Sequence, residues 1–62
     1  MNIKKLLGER IKRLRKNRGL TQEQLSEIID ITPRNLSRIE VGECFVSADT
    51  LDKIIEALSI TA

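Results

Sequence analysis

The chain has 62 residues, with a single cysteine, Cys44, and no histidine, so an intrachain disulfide and a Cys/His metal site are excluded from a domain that buries only about 60% of its unfolded surface. Apolar residues are 40% of the chain, but no run approaches the roughly 20 that cross a bilayer, and a lone thiol without a signal-peptide pattern predicts a reducing, cytoplasmic setting. The net charge is only +2, yet Lys4, Lys5, Arg10, Lys12, Arg13, Arg15, Lys16 and Arg18 stand against Glu9 near the start, whereas Glu40, Glu43, Asp49, Asp52 and Glu56 stand against Lys53 near the end, a polarity that lets one surface attract a polyanion.

Ile3 to Arg18 is expected to form the first helix. Ile3, Leu7, Ile11 and Leu14 recur at spacings of three and four, which stacks them on one stripe. Gly19 supplies the left-handed residue that commonly ends a helix. Most of the basic residues fall between the apolar positions, a pattern that could also lie on a membrane surface. The following segments weaken that rival by supplying matching apolar faces.

Thr21-Gln22-Glu23-Gln24 fits a capping box and opens a second helix, with Leu20 before it as a hydrophobic staple. Leu25 and Ile29 form its apolar stripe, and it should stop near Asp30. Thr32 followed by Pro33 is the clearest helix start in the chain, because proline at the first helical position loses no hydrogen bond. Leu36 and Ile39 face inward in this third helix, and Gly42 ends it. Only Asp30 and Ile31 separate the second helix from the cap of the third, so the two must cross steeply: a helix-turn-helix. Glu43 to Val46 is a loop, and Ser47 caps a last helix whose apolar face is Leu51, Ile54, Ile55 and Leu58. The expected core is Leu7, Ile11, Leu14, Leu20, Leu25, Ile29, Ile31, Leu36, Ile39, Leu51, Ile54, Ile55 and Leu58. The fold class is therefore all-α: one compact domain over residues 1–62, with four helices, or five in a longer version.

At about 100° per residue, Arg34, Ser37 and Arg38 gather opposite Leu36 and Ile39 on the third helix, with Val41 beside them and Glu40 at the margin of the inner face. This arrangement suits the major groove of duplex DNA, where arginine forks onto guanine O6 and N7 and serine reaches several base edges. A solvated helix face would carry the same residues. Pro33 and Thr32 would come nearest the groove floor. Thr21, Gln22 and Arg15, together with Thr32 and Asn35, are the candidates for gripping the sugar-phosphate backbone, which sets register while Pro33, Arg34, Ser37 and Arg38 read bases. No paired nucleophile and base and no glycine-rich phosphate loop suggest an enzyme. Single-strand or RNA binding needs stacking aromatics, and Phe45 is the sole aromatic residue.

The stretch GERIKRLRKNRGLTQEQLSEIIDITPRNLSRIEVG, with SADTLDKIIEALSI after it, resembles the Cro/repressor (Xre-type) helix-turn-helix family of bacterial and phage transcriptional regulators over nearly the whole chain. The resemblance implies sequence-specific binding of a double-stranded DNA operator by a homodimer, with the recognition helix, about Pro33–Val41, in the major groove and no cofactor or metal. It implies that Gln22 touches DNA backbone and that Arg15 ion-pairs with Glu40, tying the first helix to the third. The chain departs from the family pattern at three places. Pro33 stands where a polar base-contacting residue is frequent, Asp30 where glycine is frequent in the turn, and Val41 and Glu43 where phosphate-binding residues are frequent. An acid at Glu43 should weaken DNA binding.

The loop Glu43-Cys44-Phe45-Val46 is apolar for a loop. Phe45 is expected either as a plug under the last helix or, with Val46, as a dimer contact; Cys44 is expected to be an inert small hydrophobe. A protein-interaction module that keeps the same fold and uses this loop and the acidic last helix is the competing function. The chain is expected to be either the N-terminal domain of a longer regulator or a minimal one.

Overall fold

The computed structural model describes residues 2–58. Among them are four helices, α1 (Ile3–Asn17), α2 (Gln22–Ile28), α3 (Pro33–Glu40) and α4 (Ala48–Ala57). Each begins at a side chain that accepts a backbone amide: Asn2 from Lys5, Thr21 from Gln24, Thr32 from Asn35 and Ser47 from Thr50. At Thr21 the box is closed in both directions, since Gln24 Oε1 also accepts the Thr21 amide at 2.9 Å. These caps satisfy donors that the first turn leaves unpaired.

The first three helices end alike. Past each C-cap stands a residue of positive φ, Gly19 (70°), Asp30 (60°) and Gly42 (86°). In each case the next amide reaches back to the third-last helical carbonyl: Leu20 to Arg15, Ile31 to Ser26 and Glu43 to Arg38, at 3.1, 3.0 and 2.9 Å. This double closure turns the chain sharply without leaving carbonyls bare. It is what makes the α2–α3 turn so short.

α3 packs against both α1 and α2, and α2 against α4. Ile11, Leu25, Ile29, Leu36, Ile39, Ile54 and Leu58 form the buried core, with Leu7, Leu14, Leu20, Ile31, Cys44, Val46 and Ala57 packed around it. Leu51 is half-buried. Ile55, expected inside, is 38% exposed. It lies 100° from Ile54, at the margin of the stripe made by Leu51, Ile54 and Leu58, and that stripe alone faces inward.

α1 crosses the end of α3 at Gly8, which is buried. A Cβ there would run into the carbonyl oxygen of Ile39 and come within 2.8 Å of that of Glu40. Backbone atoms cannot yield as a flexible side chain does, so only glycine permits this approach. The crossing brings α1 within reach of the last turn of α3, where the site's central side chain sits.

Candidate nucleic-acid interface

α3 has two faces of opposite character. Leu36, Ile39 and Glu40 are buried on one; Arg34, Arg38 and Val41 are exposed on the other, with Ser37 half-buried at its edge. Thr32 and Pro33 are exposed at the leading end. Neither Arg34 nor Arg38 takes part in an ion pair or side-chain hydrogen bond among the described residues. Both guanidinium groups are exposed, and none of their donors is engaged by a side chain among the described residues. Asn35 is exposed as well, and lines a groove between α3, the following loop and α4.

Behind that face lies a polar cluster that joins three helices. Arg15 of α1 sets its guanidinium against Glu40, Nε donating to Oε2 at 2.7 Å and Nη2 to Oε1 at 3.1 Å. Nη1 donates to the Leu20 carbonyl at 2.7 Å. The side chains are 8% and 1% exposed. A guanidinium enclosed in this way cannot reach a phosphate, so the backbone contact expected of Arg15 is corrected to an internal role. The fork geometry is bidentate, the strongest form of such a pair. No buried side-chain nitrogen or oxygen among the described residues lacks a partner, which is the condition under which an enclosed pair is tolerated.

Gln22 also reaches this cluster. It is half-buried, and its Nε2 donates to Glu40 Oε1 at 3.0 Å. The expectation for this side chain was a DNA-backbone contact, with no tie to Glu40. No local signal reveals the contact, because its partner lies 18 positions away. Thr21 remains exposed, its oxygen occupied by the Gln24 amide.

The loop after α3 alternates. Cys44 and Val46 pack on the core, while Phe45 between them is 56% exposed. The plug expected of Phe45 is therefore made by its two neighbours, and that expectation is corrected. Phe45 instead rims a groove of about 230 Å³ shared with Ile31, Asn35 and Thr50.

Residues 8–62 match a family model described as a helix-turn-helix domain. The chain belongs to that helix-turn-helix family. Its relatives include an uncharacterized HTH-type transcriptional regulator, y4dJ, of Sinorhizobium fredii, 33% identical over 61 residues, covering 98% of this chain and 79% of that protein. The uncharacterized HTH-type transcriptional regulator RP497 of Rickettsia prowazekii is 36% identical over 61 residues, 87% of this chain and 47% of its own length. Antitoxin PezA of Streptococcus pneumoniae is 36% identical over 56 residues, 90% of this chain and 35% of its own. This helix-turn-helix domain thus spans less than half of the last two. Among solved structures, the clp gene regulator ClgR from Corynebacterium glutamicum superposes with a TM-score of 0.87 at 30% identity, over 90% of this chain and 60% of that one. The helix-turn-helix itself is α2 and α3, joined by the turn at Asp30.

Proposed function

We propose that this domain binds duplex DNA sequence-specifically and regulates transcription, with Pro33–Val41 in the major groove. One observation carries the reading: α3 buries one face completely while Arg34 and Arg38 stand exposed on the other, without an ion-pair partner among the described residues. Arg34 and Arg38 read guanine edges, Ser37 and Pro33 shape the fit beside them, and Thr21, Gln22, Thr32 and Asn35 hold the sugar-phosphate backbone. The active unit is a homodimer in the cytoplasm, its two recognition helices about 34 Å apart on a two-fold operator. Exposed Phe45 provides the contact between copies; Val46, expected beside it, packs on the core instead. Neither metal, cofactor nor enzymatic chemistry enters.

Selection of bound sequences from a random duplex pool tests the reading. A two-fold consensus containing guanines supports it; recovery of no consensus removes it. The exposure of Phe45 above its groove favours one competing reading, a protein-interaction module using that loop and the acidic face of α4. Salt separates the two. Binding through several phosphates weakens steeply between 50 and 200 mM salt, whereas an apolar contact does not.

A further inference from the structure

One residue of the proposed interface is held by the protein itself. Gln22 reaches Glu40, which is 3% exposed and sits at the inner end of the helix that carries Arg34 and Arg38. The chemistry sets the orientation of the amide. A carboxylate only accepts hydrogen bonds, so Gln22 must turn its NH2 group, not its oxygen, toward Glu40. One N–H is then engaged inward at 3.0 Å, and the other has no partner among the described residues. Arg15 donates twice to the same carboxylate. Its charge offsets that of Glu40, so a second anion can approach Gln22 without meeting a bare negative group.

We propose that Glu40 is a positioning residue for DNA binding: it holds the Gln22 carboxamide so that the outer N–H is presented to one backbone phosphate, in fixed register with the arginines of α3. The proposal rests on the DNA-binding reading above and adds to it a reason for burying an acid behind a DNA-binding face. A glutamine ordered before binding loses less freedom on binding, an advantage of roughly two- to tenfold in affinity.

The test combines protein variants with DNA in which single phosphates are replaced by neutral methylphosphonates, on the duplex recovered by selection. Wild type should lose about tenfold or more at one phosphate, as expected for a hydrogen bond to a charged group. Gln22→Ala should bind unmodified DNA more weakly and be indifferent at that phosphate. The double variant Arg15→Met/Glu40→Leu keeps Gln22 but replaces the enclosed pair with apolar side chains of similar size, a change that folded proteins often tolerate. With folding verified by its thermal melt, its phosphate-specific penalty should be smaller than that of wild type by roughly two- to tenfold. A double variant that retains the full penalty overturns the proposal, as does a Gln22→Ala variant that responds like wild type at every phosphate. Should the double variant not fold, relaxation of the Gln22 side-chain amide in the free wild-type protein decides. An amide as ordered as the backbone supports the proposal; an order parameter below about 0.6 overturns it. Wild type that binds no duplex would instead remove the function itself, a separate and visible failure.

Discussion

Glu40 takes hydrogen bonds from α1 and α2 while belonging to α3, so its loss is felt in all three. Glu40→Ala strands the Arg15 guanidinium inside the protein, which costs about 3–5 kcal/mol. A domain of this length has a total stability of roughly 3–9 kcal/mol. Glu40→Ala should therefore be largely unfolded or melt far below wild type, and a melting temperature within a few degrees of wild type would contradict the structure. Asp30 is the opposite case. Its φ of 60° lies where a Cβ crowds the following carbonyl. Asp30→Gly should raise stability by up to about 1 kcal/mol, the relief being partly offset by the greater freedom of glycine in the unfolded chain; denaturant unfolding checks the sign. Asp30 was legible beforehand only through the family resemblance, as an aspartate standing where glycine is frequent in the turn and better able than most residues to take a left-handed conformation. Gly8 was not. Nothing in its neighbourhood along the chain announces that the carbonyls of Ile39 and Glu40 will press against it.

Helix beginnings were the most legible elements, because a cap is a local interaction between residues three apart. Thr21, Thr32 and Ser47 all act where their side chains suggested. α3 is only eight residues long, so most of its stability comes from packing and its cap matters in proportion. Thr32→Ala leaves the Asn35 amide without its acceptor and should cost about 1 kcal/mol, a fall of roughly 4–8 °C in the melt of a domain this size. A melt unchanged within a degree would mean that Thr32 caps nothing. What periodicity could not resolve were the margins. Ile55 has the same chemistry as Ile54, one position away, but falls off the edge of the stripe that α4 turns inward. In the loop, composition left both burial and a dimer contact open for Phe45, and its neighbours Cys44 and Val46 are the residues that pack inside.

Across the whole molecule, the helix order and the all-α core followed from stripes that can be covered only by one another. The site followed less completely. The exposed arginines of α3 were readable from a helical wheel, but the inward tie of Gln22 depends on long-range geometry. Charge is also organised at this scale. The exposed carboxylates Asp49, Asp52 and Glu56 lie on α4, and Glu43 stands just past the end of α3. If that region flanks the DNA backbone, Glu43→Lys should tighten binding and steepen the salt dependence, the log-log slope growing by about one or more as a repelling acid becomes a phosphate contact. An unchanged slope would place Glu43 off the DNA.

DNA recognition depends most directly on the outward face of α3. A titration of wild type and Arg38→Ala against the selected duplex and its single-base variants addresses it directly. Arg38→Ala should lose roughly 1–3 kcal/mol on the selected site and cease to discriminate at one base pair while discriminating normally elsewhere. Equal affinities for wild type and variant on that site, with discrimination intact at every position, would contradict it.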